Sequence, residues 1–271
     1  MPRIVGMELR QCALEAFCLP DPQHKVEAVH RLHQLTTTLD LQCNIRLFAP
    51  EGPGTPVRPL LVEPKRVPRR SVYTAEGHAA LVHSIAHIEF NAINLALDAV
   101  WRFGAMPPAY YRDWLGVADD ESRHFSMLQT HLKSLGYEYG HFTAHEGLWN
   151  MCTATQHSVA ARMALVPRTL EARGLDATPI IQAKLRKVGT TCALECVDLL
   201  DVILEDEVGH VAIGNHWYHW LCKRDRLDPV LFYAEVAALH GAPIAKPPFN
   251  LAARRAAGFS EAEIQTMLSS T

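Results

Sequence analysis

Two helical stretches of this chain carry the same five-residue pattern, Asp120-Glu121-Ser122-Arg123-His124 and Asp206-Glu207-Val208-Gly209-His210. Glu and His three residues apart share one face of a helix. In both stretches that face is otherwise apolar. The first reads Val117, Glu121, His124, Leu128, and the second reads Cys196, Leu200, Ile203, Glu207, His210, Gly214. A carboxylate inside an apolar stripe is expensive unless it is paired or holds a metal. The chain must therefore bring these faces against partners that can use them. Antiparallel helices around a shared polar centre satisfy that demand.

Glu-x-x-His alone is a weak signal, since roughly one match arises by chance in a chain with this many Glu and His. Two further matches, Glu27/His30 and Glu138/His141, fall outside the long helical stretches. The pair at 121/124 and 207/210 differs in its preceding Asp, its helical setting and its apolar stripe.

Breakers mark out the helices. The spacing predicts helix A over 75–103, ending at Gly104 to Pro108, and helix B over 109–135, ending at Gly136. A loop follows over 136–147. Helix C starts near Leu148, carries Pro167, and meets Gly174 and Pro179, which predict a kink or a break. Helix D runs over 191–224. Two short helices, 6–17 and 23–39, precede an arm with prolines at 50, 53, 56, 59, 64 and 68, which is extended rather than helical. A last short helix starts at Ser260. No strong strand signal is present. The expected fold is all-α, an antiparallel four-helix bundle over 71–225. An N-terminal region of helices and Pro-rich arm fills 1–70, and a tail over 226–271 packs on the bundle.

A dinuclear carboxylate site in such a bundle needs one further Glu from each remaining helix. Helix A offers Glu89 in the stripe Val82, Ala86, Glu89, Ile93, Ala96. In an antiparallel pair, residues equally far from the turn share a height. Glu89 is 15 residues before Gly104 and Glu121 is 14 after Pro107. For helices C and D about Gly189, Glu171 is 18 before and Glu207 is 18 after, while Glu146 is 43 before and fails. The candidate ligands are therefore Glu89, Glu121, His124, Glu171, Glu207 and His210. Their oxygen-rich mix suits two ions of iron, manganese, or one of each, better than a closed zinc site. Asp120 and Asp206 are candidates to accept the other N–H of a ligand imidazole. The bland alternative for each is an exposed residue beside the stripe. His87 lies on a polar stripe of helix A with His83, Asn91, Asn94 and Asp98, read as a hydrated face or a packing network, from which His87 could reach the metals. Cys192 and Cys196 share a face and read more simply as buried hydrophobes than as ligands.

A net charge of −3 argues against a protein that wraps nucleic acid over most of its surface. No apolar run reaches the ~20 residues of a membrane span. The start, Met1 to Gly6, shows no long apolar segment of a secretory signal. Seven cysteines without a C-x-x-C pair suit reduced thiols and a cytoplasmic setting.

The ordered set Glu, D-E-x-x-H, Glu, D-E-x-x-H resembles the ferritin-like di-iron carboxylate superfamily. Ala86-His87-Ile88-Glu89, Ala96 to Phe103, Ala144 to Trp149, Ala164 to Arg168, Leu170 to Asp176 and Asp206 to Val211 are more closely similar to the domain-of-unknown-function family 455. Pro248-Phe249-Asn250 and Ala257-Gly258-Phe259 extend that likeness over nearly the whole chain. Leu170-Glu171-Ala172-Arg173 also resembles the third-helix ligand segment of the tRNA-modifying di-iron monooxygenases, where such a Glu binds metal; Gly174 departs from that pattern. The resemblance implies a ferritin-like oxidoreductase that uses dioxygen or peroxide to oxidise or hydroxylate a small-molecule substrate. An electron-donor protein would be a partner, and a homodimer is compatible with it. The alternatives are an iron-binding or iron-sensing protein without enzymatic activity, a tRNA-modifying hydroxylase drawing on the basic cluster Lys65, Arg66, Arg69, Arg70, and a metal-free scaffold.

Overall fold

The computed structural model describes residues 7–48 and 50–269. The Met1 to Gly6 stretch read above for a targeting signal lies outside them. The described residues are helical and contain no strand, so the fold is all-α. Among them no helix is long and apolar enough to cross a membrane. The chain forms two compact units, 1–146 and 147–271.

The first unit is built on an antiparallel hairpin of α3 (Ala75–Arg102) and α4 (Pro108–Ser134). Thr74 caps α3, its hydroxyl accepting from Gly77 N at 3.1 Å. Pro107 and Pro108 stop α3 and open α4, where proline's missing N–H costs nothing. Gly136, at φ +82°, ends α4 in the left-handed conformation that glycine adopts without strain. Trp101, Tyr110, Tyr111 and Trp114 fill the core at the turn.

Two buried cations tie the preceding elements to this hairpin. Arg10 on α1 (Leu9–Cys18) donates to Val100 O at 3.3 Å and Trp101 O at 2.8 Å. It thereby serves carbonyls that the end of α3 leaves without helical partners. Its other donors reach Gln42, Cys43 and Ile45 carbonyls at 2.9–3.2 Å. Lys25 on α2 (Pro22–Gln34) donates to Phe17 O at 3.0 Å, to Gly54 O at 2.9 Å and to Asn94 Oδ1, and lies 5.1 Å from the Phe90 ring centroid. The Pro-rich arm is extended apart from one 3₁₀ turn at Pro64–Arg66. It crosses α1 so closely that a Cβ on Gly54 would sit 2.2 Å from Cys18 O. It also pairs with the loop after α4, through Val62 N to Ala144 O at 2.9 Å and Ala144 N to Leu60 O at 3.1 Å.

The polar stripe on α3 is a packing network rather than a hydrated face. His83, His87, Asn91, Asn94 and Asp98 are all buried. Asn94 receives Lys25, Asp98 pairs with Arg102 at 2.7 Å, and His83 Nε2 accepts from Gly140 N at 2.9 Å. The two stray Glu-x-x-His matches have structural roles. His30 and His33 both engage Asp119 of α4, and His141 Nδ1 accepts from Glu138 N at 3.1 Å.

In the second unit the span expected as helix C is four pieces: α5 (Gly147–Ala154), α6 (Val159–Leu165), a π-helical turn (Val166–Glu171) and α7 (Ala172–Val188). The expected break at Gly174 to Pro179 does not occur, because α7 runs unbroken through both residues. The break lies earlier, after Ala154, where the buried Arg162 donates to Thr155 Oγ1 at 2.9 Å and Cys152 O at 2.5 Å. α7 turns at Gly189 into α8 (Thr191–Asp225). Two tail helices that the periodicity missed, α9 (Pro229–Leu239) and α10 (Leu251–Ala256), precede α11 (Glu261–Ser269). Arg254 on α10 holds Asp176 of α7 at 2.6 Å.

Lys25→Met will lower stability at pH 7 by about 2–3 kcal/mol, because three buried acceptors lose their donor. Burial pushes the Lys25 ammonium down to about 7 from its ordinary value near 10.5. Between those values the unfolded chain carries the proton and the folded chain does not, so this group's contribution grows with pH. Urea unfolding from pH 7 to 10 will therefore show the deficit of the variant widening. Gly174→Ala is expected to stabilise α7 by about 0.5–1 kcal/mol, since a Cβ there meets nothing within 4 Å and alanine has the better helix propensity.

Candidate metal centre

Glu89 lies midway along α3, and Glu121 and His124 midway along α4. All three are buried, at 4%, 0% and 0% exposure. The matched heights read from the sequence hold for this pair of helices. His124 Nδ1 lies 3.2 Å from Glu89 Oε2 and 3.4 Å from Glu121 Oε2. One ligand-type atom from each residue falls within 4.8 Å of the other two. Burial alone would depress the His124 imidazole, but its hydrogen bonds to Glu121 and Glu89 outweigh that and push it up to about 11. A proton on His124 thus offsets one of the two buried carboxylates. Two carboxylates and an imidazole converging from facing helices fit a divalent ion with a taste for oxygen and nitrogen ligands. Such an ion would displace that proton, because only the neutral imidazole is a ligand.

The second unit presents the other three candidates. On α8, Glu207 Oε1 and His210 Nδ1 are 3.9 Å apart, with His210 at 2% exposure. Glu171 is buried at the last position of the π-turn. That turn has a local cause. Pro167 supplies no N–H, which removes one rung of the helical ladder. Within the turn the Thr169 hydroxyl donates to Ala164 O at 2.8 Å. Single widened turns of this kind recur at functional sites. The turn packs against α8 where Gly214 leaves room: a Cβ there would lie 2.5 Å from Pro167 Cβ. Arg168 fastens it further. Its guanidinium donates to Asn215 Oδ1 at 2.7 Å, pairs with Glu263 of α11, and lies over the Tyr218 and Phe259 rings. Burial would raise the Glu263 carboxyl, but Arg168 and the hydrogen bonds from Ser260 hold it below its ordinary value.

The residues expected behind the ligands are placed as follows. Asp120 is 42% exposed and accepts from Arg123 at 3.2 Å, the surface position of the bland alternative. Asp206 is half-buried. His87 is engaged on both ring nitrogens, Nδ1 at 2.8 Å from Tyr139 Oη and Nε2 at 3.0 Å from Asn91 Nδ2. Burial takes it down to about 4, so it is neutral. The Tyr139 ring packs on Phe90 and Phe125, the neighbours in sequence of Glu89 and His124, at 5.7 and 5.0 Å. Burial raises its phenol well above the ordinary range. Tyr139 and Arg168 were missed from the sequence, since one sits in a glycine-containing loop and the other acts through α11. Cys196 is a buried thiol, pushed up to about 12 by burial.

A model of the family described as "Protein of unknown function (DUF455)" matches residues 18–265. The chain belongs to this DUF455 family. A relative from Haemophilus influenzae, itself described as an uncharacterized protein, is 53% identical over 216 residues, which cover 77% of this chain and 74% of the relative. No solved structure matches the DUF455 chain.

In this DUF455 protein, Gly214→Ala will drive a Cβ into Pro167 and force the π-turn to shift. We expect a loss of about 1–3 kcal/mol in urea unfolding, the usual cost of overpacking. An unchanged midpoint would show that the turn is free to move.

Proposed function

We propose that this protein is a ferritin-like dinuclear metal carboxylate oxidoreductase. Glu89, Glu121 and His124 would supply one half of the ligand set, and Glu171, Glu207 and His210 the other. The observation that carries the reading is the buried convergence of Glu89, Glu121 and His124 between α3 and α4. The repeat of the same D-E-x-x-H pattern on α8 supports it. So does the height arithmetic that pairs Glu171 with Glu207. Iron is the metal this donor set suits best, with manganese or a mixed pair next.

When bound, the metals would supply redox chemistry with dioxygen or peroxide toward a small-molecule substrate. The chain's own groups have other tasks. Glu89 and Glu121 bring negative charge to a buried site between α3 and α4. His124 gives up the proton at Nδ1 as metal enters. Asn91 Nδ2 donates to Nε2 of neutral His87, so the ring's proton sits on Nδ1 and is donated to Tyr139 Oη, which holds the Tyr139 ring against Phe90 and Phe125. An electron-donor protein completes the reaction as an oxygenase, and a homodimer is compatible with the reading. An odd number of cysteines, seven, without a C-x-x-C pair suits a cytoplasmic location.

Elemental analysis after expression with supplementary iron and manganese tests this. The wild type should hold about two metals per chain, as dinuclear bundle sites do. Glu121→Ala/Glu207→Ala should hold no iron or manganese while keeping its helical circular dichroism. Oxygen consumption on anaerobic Fe(II) reconstitution should follow the same pattern. A wild type without metal would overturn the proposal. Metal without oxygen consumption would leave an iron-binding protein in its place.

A further inference from the structure

The α3–α4 hairpin carries a second group of ligand-type side chains. His78 stands in the first turns of α3 and His131 in the last turns of α4. Both are buried, at 5% and 7% exposure. Their rings are 5.8 Å apart and tilted by 51°, and a nitrogen of one lies within 4.8 Å of a nitrogen of the other. His78 Nε2 has no hydrogen-bond partner. His78 lies 11 residues before Glu89 and His131 lies 7 after His124. The pair is therefore two to three helical turns, roughly 10–16 Å, from the carboxylates.

Packing alone accounts poorly for this pair. A neutral imidazole has one donor and one acceptor nitrogen, and leaving one of them buried without a partner costs about 1–3 kcal/mol. An apolar residue of similar size would fill the same space without that cost. Burial and the neighbouring His131 both hold the His78 imidazole below its ordinary value. It is then neutral at pH 7, the state that binds metal.

We propose that His78 and His131 are two ligands of a mononuclear transition-metal site, of the zinc class, separate from the Glu89–Glu121–His124 centre. Tetrahedral zinc with Zn–N bonds of about 2.0–2.1 Å holds two nitrogens about 3.3 Å apart, so the rings must close by at most about 1.5 Å, within reach of side-chain rotation. Imidazole donors favour zinc, copper and nickel, whereas the oxygen-rich set favours iron and manganese. The two sites on one hairpin would thus take different metals. A zinc ion between His78 and His131 would also cross-link the start of α3 to the end of α4, the two open ends of the hairpin.

The test is zinc chloride titration of the metal-free full-length protein, read by calorimetry and equilibrium dialysis. Glu121→Ala/His124→Ala should keep one zinc equivalent. Adding His78→Gln or His131→Gln to that background should weaken its binding by tenfold or more. In the otherwise wild-type chain, His78→Gln should lose one zinc equivalent while retaining iron uptake. This second arm stands if the carboxylate variant fails to fold. Zinc should raise the Tm of the wild type and leave that of His78→Gln unchanged. Equal zinc uptake and affinity in wild type and His78→Gln would overturn the proposal and assign the zinc to surface histidines. A wild type that binds zinc through His78 but takes up no iron would instead count against the dinuclear reading alone.

Discussion

The burial of His124 between Glu89 and Glu121 is the constraint on which the first unit turns. Two carboxylates in an apolar seam are tolerable only when positive charge is held against them at close range. That charge is a proton on His124 or a metal ion, and either requires α3 and α4 to keep a fixed register. The elements before α3 serve this register. Arg10 takes up carbonyls at the end of α3, and Lys25 ties α2 and the arm to Asn94. The described residues ahead of the hairpin are thus part of its scaffold. Their two cations are buried because they replace hydrogen bonds that helix ends and loop carbonyls would otherwise seek from water.

The second unit places its three candidate ligands by a different route. Glu207 and His210 follow directly from helical periodicity on α8. Glu171 depends on an irregular turn, and that turn depends on one local contribution and on two partners distant in sequence. Pro167 removes a hydrogen bond, Gly214 permits close approach, and Arg168 anchors the turn to Asn215 and to Glu263. The C-terminal helix α11 therefore belongs to the support of a candidate ligand. A change at Glu263 would act on Glu171 through Arg168 rather than by contact.

The His87–Tyr139 pair adds a polar element behind the first-unit carboxylates. The neutral imidazole accepts from Asn91 at Nε2 and donates its Nδ1 proton to the phenol oxygen, and the ring of Tyr139 lies against Phe90 and Phe125. The loop that carries Tyr139 is held by Gly140 N donating to His83. The histidines of α3 thus act as fasteners for this loop, which explains the length of the buried polar stripe better than solvation does.

The amino-acid sequence by itself determined the long helices, because Thr74, Pro107, Gly136, Gly189 and Thr190 punctuate an uninterrupted apolar period. It also determined the pairing of Glu89 with Glu121 and His124, since equal distance from a tight turn fixes height in an antiparallel hairpin. Local rules failed where distant groups compensate for them. Gly174 and Pro179 lie inside a continuous helix because α7 gains its stability from packing on α8 and α10, which outweighs propensity. The π-turn, the buried Arg10 and Lys25, and the approach of Tyr139 to the site were decided only by tertiary structure. Each rests on partners 29 to 95 residues away in the chain, and no periodicity encodes contacts at that range.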